Sequence, residues 1–279
     1  MTKTKHSLEI FVIITLASGW LGVLLDTILT EQPEGDSLGM GLWLVLPLLT
    51  AIILSTIKKD WKNSGLTPKF KGNLKWYLLS LTAFPVVGAV SLTVAKLFGK
   101  VDLSAMEIGV IFPIIASAFI LNIIKNVFEE FAWRGFLTPK LMEYKLSDWL
   151  LYIVSGLVWA LWHVPYYLIF LDESVFEALS ISRIGFTVLA SIIMLCWNVL
   201  YVEMFRLTKT VWTCTVMHAA EDGVIMTLFI GRYYLFTNSL AHWIFDPHIG
   251  VVATTFILTS GIILRSIRIK KEQCLSWNE

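Results

Sequence analysis

Charge is scarce in this chain. Only 15% of its 279 residues are Asp, Glu, Lys or Arg, where a soluble domain of this length carries roughly a quarter. Hydrophobic residues make up 56%, and the mean hydropathy is +0.72. A surface this apolar excludes a soluble monomer and points to an all-α polytopic membrane protein. Cysteine is scarce too. Cys196, Cys214 and Cys274 are too few and too scattered for a disulfide framework or a CxxC metal site. They read as small buried apolar residues. No A-x-A-like cleavage site follows the first apolar run, so that run is expected to be a retained span. Internal repeats and low-complexity stretches are missing as well, and the chain is taken as one integral membrane domain, 1–279.

What is present is a series of long apolar runs. A membrane span needs about 20 mostly apolar residues. Eight runs qualify: 7–30, 39–57, 76–98, 107–131, 148–171, 183–206, 209–231 and 250–269. They are continuous rather than alternating, which favours helices over a barrel. Seventeen of the 22 basic residues fall in five alternate segments: the N-terminus (Lys3, Lys5), the loop 58–75, the loop 132–147 with Arg134, the turn at Arg206 and Lys209, and the C-terminal tail. The opposite loops carry Glu31, Glu34 and Asp36, then Asp172, Glu173 and Glu177. The positive-inside rule puts both termini in the cytoplasm of a multi-pass cell-membrane protein and supports an even span count. The basic, aromatic-containing segment 58–75 is compatible with anionic headgroups and equally with a solvated loop. The aromatic-rich stretch 232–249 is expected to be an extracytoplasmic cap.

Ionisable groups inside hydrocarbon are costly and usually functional. Three runs bring such groups, within a core of about 107–231. The fourth ends in Glu129-Glu130-Phe131-Ala132-Trp133-Arg134. Consecutive helix positions point about 100° apart, so the two carboxylates face different ways. Glu130 and Arg134, four apart, can pair, which leaves Glu129 as the freer base. The alternative is an interfacial charge cluster at the helix end. The fifth run holds Trp159 and His163 on one face, followed by Pro165; a hydrogen-bonded packing histidine is the other reading. The seventh holds His218, Glu221 and Asp222. An i,i+4 His–Asp pair is an orienting contact, or a self-satisfied pair that only joins helices. Together these groups suggest one polar site within the bilayer, in which a glutamate activates water and histidines position it, donate to an oxyanion or bind a metal.

This motif set resembles the CPBP family of intramembrane proteases, which includes the type II CAAX prenyl endopeptidases and bacterial relatives linked to bacteriocin processing or self-immunity. Its signature runs EExxxR, FxxxH, then HxxxN or HxxxD on separate helices. Glu129, Glu130 and Arg134 match the first; His163 matches the second, with Trp159 in place of Phe; His218 and Asp222 match the third. The order and spacing (34 residues from Glu129 to His163, 55 more to His218) fit as well. The resemblance implies an eight-helix bundle and a glutamate-dependent endopeptidase. Glu129 would be the general base, His163 would help hold the water, His218 and Asp222 would stabilise the oxyanion, and Glu130 and Arg134 would orient. It leaves the metal open: a set of Glu129, His163 and His218 is compatible with zinc and with a metal-free site. Trp159 keeps an aromatic beside the site and is expected to tune its shape. Other intramembrane protease patterns are missing: there is no HExxH, Leu258-Thr259-Ser260-Gly261 lacks the first Gly of GxSG, and Glu221-Asp222-Gly223 is not GxGD.

The partners expected are a peptide or protein substrate at the membrane and the lipid bilayer, with no nucleic acid. Two other functions compete. One is a non-catalytic immunity or adaptor protein on the same scaffold. The other is a proton-relaying transporter, which inverted repeats or matched broken spans would support; neither pattern is evident.

Overall fold

A computed structural model describes residues 2–31, 37–179 and 181–276. Glu34 and Asp36, and the side chains of Lys3, Lys5, Glu177 and Cys274, lie outside the described residues. The chain is helical almost throughout, as a bilayer demands of backbone polar groups. The elements are α1 (Thr2–Ile28), α2 (Leu38–Lys58), α3 (Leu74–Leu97), β1 (Val101–Asp102), α4 (Ile108–Glu130), α5 (Thr138–Met142), α6 (Asp148–Pro165), α7 (Glu173–Leu179), α8 (Arg183–Thr208), α9 (Val211–Ala220), α10 (Thr227–Ile230), β2 (Leu235–Phe236), α11 (Ser239–Phe245) and α12 (Val251–Ser276). Three π-helical segments interrupt the α-helices: Phe131–Leu137, Tyr166–Phe170 and Glu221–Met226.

Side-chain caps mark several helix starts. Ser37, Ser147, Thr210 and Asn238 each accept a backbone N–H of the first turn, which satisfies donors the helix cannot. Lys59, Lys145 and Lys209 follow helix ends with φ of 52°, 52° and 55°. That left-handed conformation closes the last turn, and the cation suits the negative end of the helix dipole.

Seven helices among the described residues are long and apolar enough to cross a membrane: His6–Ile28, Leu38–Lys58, Leu74–Leu97, Ile108–Met142, Asp148–Phe170, Arg183–Thr208 and Val251–Gln273. The run 209–231, expected as a further span, is helical from Val211 to Ile230, but its histidine and two acids make it too polar to qualify. Eight of the ten residues of α9 are buried, His218 among them, so this helix is protein-lined and does not need an apolar exterior. A second difference concerns the supposed loop 132–147. The helix does not stop at Phe131 but continues through the π segment and α5 to Met142. Arg134, counted with the loop cations, is 1% exposed.

The chain divides into two compact units. The first comprises residues 1–66 and 127–195, the second 67–126 and 196–279. In the first, α1 and α2 touch at glycines: a Cβ on Gly22 or on Gly39 would collide with the other's carbonyl oxygen. Small residues at such crossings let helices approach within van der Waals contact in lipid, where no hydrophobic force drives them together. Trp43 of α2 stacks on Trp162 of α6, centroids 4.2 Å apart, and donates from Nε1 to the Trp162 carbonyl at 2.9 Å. Trp162 in turn donates to Ser18 Oγ of α1 at 3.1 Å. These bonds fix the end of α6, where His163 sits.

In the second unit, Gly261 of α12 lies against the backbone of α8 at Val199 and Leu200. Glu203, fully buried, accepts from Arg268 Nε at 2.6 Å and from Arg206 at 3.1 Å. Asn73 donates to the Thr208 carbonyl and Thr210 to that of Thr67. β1 and β2 pair antiparallel, Val101 with Phe236 and Asp102 with Leu235, which ties the loop after α3 to the aromatic stretch 232–249.

Candidate active site

The first unit holds Glu129, Glu130, Arg134, Trp159 and His163; the second holds His218 and Asp222. Each motif runs into a π-helical segment. Glu129 and Glu130 end α4 directly before Phe131–Leu137, His163 lies three residues before Tyr166–Phe170, and His218 three before Glu221–Met226. A π turn inserts one extra residue into the helix and shifts side-chain direction, and such turns gather at functional sites. Proline adjoins one of them: Pro165 directly precedes Tyr166–Phe170, whereas Phe131–Leu137 and Glu221–Met226 begin with no proline immediately before them.

In the first unit both glutamates are buried, Glu129 at 2% exposure and Glu130 at 0%. Arg134 Nη1 donates to Glu130 Oε1 at 3.0 Å, the i,i+4 pairing expected from sequence. The Arg134 guanidinium also lies over the Trp159 ring, 4.5 Å from its centroid. Trp is the strongest cation–π partner among aromatics. Trp159 therefore does more than shape a pocket: it seats the arginine that holds Glu130. One helical turn on, His163 Nδ1 lies 3.0 Å from the Trp159 carbonyl. A carbonyl only accepts, so Nδ1 carries the proton and a neutral ring keeps Nε2 as its acceptor. The ring is fixed by Tyr167, stacked at 5.5 Å, and by the edge of Trp162 at 4.6 Å.

In the second unit His218 Nε2 is 3.8 Å from Asp222 Oδ2, beyond hydrogen-bonding distance. Two other groups are closer to that oxygen. Lys125 Nζ lies 2.9 Å away, and Asn126 Nδ2 donates at 2.8 Å. Glu221, 3% exposed, bonds His248 Nδ1 through Oε1 at 3.1 Å. Burial disfavours the His248 cation, but the Glu221 bond and the charges of Glu221, Asp246 and Asp222 outweigh it, so its pKa lies above the ordinary histidine value. Asp246 itself accepts from the backbone N–H of His248 and Ile249 and from the Tyr234 hydroxyl.

Lys125, Asn126 and His248 were not singled out from sequence. Lys125 left a signal, as a lone cation within the apolar run 107–131. His248, 27 residues from its partner, left none.

One set of donors among the described residues clusters as a metal site would: His218, Glu221 and Asp222, with ligand atoms within 4.8 Å of one another. It does not fit zinc. The Asp222 oxygen faces an ammonium at 2.9 Å, which competes with a metal cation for the same lone pairs, and Glu221 is engaged by His248.

Residues 111–224 match the family described as "Type II CAAX prenyl endopeptidase Rce1-like". The match covers about two fifths of the chain and includes every motif position from Glu129 to Asp222. No curated protein matches the chain. The motif-bearing part of this all-α, multi-pass membrane protein is thus similar to the Rce1-like family, in agreement with the CPBP resemblance of its sequence.

Proposed function

We propose that the protein is a glutamate-dependent intramembrane endopeptidase that cleaves a membrane-associated or C-terminally processed, CAAX-like peptide. One observation carries the reading: inside the segment similar to the Rce1-like family, two adjacent glutamates are buried at a π turn, and one of them is held by a buried arginine. An arginine-paired carboxylate is an orienting group. The adjacent Glu129, pointing about 100° away, takes the role of base.

In this mechanism Glu129 removes a proton from water, and the water oxygen attacks the peptide carbonyl carbon. His163, with Nδ1 bound to the Trp159 carbonyl, presents Nε2 to that water. His218 donates to the oxyanion as the tetrahedral intermediate forms, with Asp222 orienting the imidazole. Glu129 then returns its proton to the leaving amine. No step requires a metal. Both termini are assigned to the cytoplasm, on the positive-inside distribution. Within each unit, stretches expected on one side are joined: Lys140 of α5 with Asp60 in the first, and β1 with β2 in the second.

The test is cleavage of a C-terminally labelled CAAX-like peptide, prenylated and not, by the full chain in vesicles. Glu129→Ala, His163→Ala and His218→Ala should each abolish turnover while the protein still inserts. Full cleavage by all three would sink the proposal. Peptide binding without turnover by the wild type would instead favour a non-catalytic adaptor.

A further inference from the structure

Three groups converge on one atom in the second unit. Asp222 Oδ2 receives Lys125 Nζ at 2.9 Å and Asn126 Nδ2 at 2.8 Å, and faces His218 Nε2 at 3.8 Å. Asn126 is fully buried, and the side chains of His218 and Asp222 are 8% and 14% exposed. The Lys125 side chain is 38% exposed while its Nζ lies 2.9 Å from Asp222 Oδ2.

The approach of the two helical segments is built in. Gly223, next to Asp222, lies against the α4 backbone at Phe119, and a Cβ there would stand 2.6 Å from Phe119 Cα. Asn126 is seven residues from Phe119, two turns along the same face. A side chain at 223 would push away the two residues that hold Asp222.

The chemistry calls for such a holder. An ionised aspartate only accepts hydrogen bonds. An asparagine at this motif position would be neutral, but aspartate places a negative charge beside the histidine assigned to a developing oxyanion, and like charges repel. We propose that Lys125 is a positioning residue: with Asn126 it neutralises and fixes Asp222, so that His218 serves the transition state without an opposing charge. The inference rests on the endopeptidase reading above. Lys125 acts through Asp222 and does not touch substrate.

The discriminating experiment is steady-state cleavage by the reconstituted full chain, with kcat and KM separated. Lys125→Met should lower kcat about 10- to 100-fold, the usual cost of losing an outer-shell partner, with KM little changed. Lys125→Arg should restore most of kcat. The double variant Lys125→Met/Asp222→Asn should recover kcat above Lys125→Met alone, because a neutral amide needs no counter-charge. A purely structural lysine would give no such suppression. The inference is overturned if Lys125→Met keeps wild-type kcat, or if the double variant is no better than the single one. Should Lys125→Met fail to fold, Lys125→Gln and the charge-free double variant carry the same comparison. A wild type without turnover overturns the endopeptidase reading; an active wild type indifferent to Lys125 overturns this one.

Discussion

The two units answer the same problem differently. Each keeps acidic groups in an apolar setting, where an unpaired charge is strongly disfavoured. In the first, Glu130 finds its cation one turn away at Arg134, and Arg134 finds its ring in Trp159. In the second, Asp222 relies on Lys125 and Asn126, nearly a hundred residues earlier, and Glu221 on His248, 27 residues later. The first arrangement is largely written into single helices. The second exists only once α4 and the 246–250 turn have docked. A motif that carries its own counter-ion can be positioned early; one that borrows its counter-ion is coupled to the tertiary fold.

The largest expected effects break the chemistry and leave both arrangements standing. Glu129→Gln should lower kcat by about 10²–10⁴-fold, the usual contribution of a general base, and His218→Ala by a comparable factor. Neither removes a member of the Glu130–Arg134 pair or of the Lys125–Asp222 pair. Both variants should therefore insert and unfold like the wild type in a thermal scan, while turnover of the labelled peptide collapses.

The next effect is structural and belongs to the first unit. Arg134→Met leaves Glu130 buried without its cation, and breaking a buried pair costs about 3–5 kcal/mol. A loss of folded protein is expected in detergent, read as a lower unfolding temperature. Glu130→Gln/Arg134→Met removes both charges and should recover much of that loss. Failure of the double variant to recover would show that the arginine acts through Trp159 rather than through Glu130. Trp159→Phe sharpens the point. It weakens the cation–π contact and leaves a small gap, so a cost of about 1–2 kcal/mol follows.

How much was legible in sequence follows the same division. The spans stood out because lipid-facing runs must be long and apolar, and Glu130–Arg134 stood out because i,i+4 neighbours on a helix must meet. What escaped notice required knowledge of which turns touch. Arg134 was counted with a loop because a glutamate pair looks like a helix end, yet a π segment carries the helix on to Met142. The run 209–231 reads as one more span because hydropathy does not reveal that its α9 part is buried in protein. Lys125 passed unnoticed, since a cation in an apolar run does not name its partner. Asp222 was matched to His218 by spacing, while its shorter contacts come from α4.

The smallest effect tests the borrowed partner at 248. The His248 pKa is raised in the folded protein, since Glu221, Asp246 and Asp222 outweigh burial. A raised histidine pKa contributes stability that is fully present below the unfolded value near 6.5 and is lost as pH rises through the folded value. The wild type should therefore unfold more easily as the pH climbs above about 6.5, a slope visible in thermal scans across that range. His248→Gln keeps a hydrogen-bond donor for Glu221 without a titrating ring, so its slope should be flatter and its stability lower at the acidic end. Arg134→Met, by contrast, should lower stability through the loss of a buried pair rather than through His248. Equal slopes in wild type and His248→Gln would mean that Glu221 draws its stability from elsewhere, and the contrast between local and borrowed counter-ions would then rest on Lys125 and Asn126.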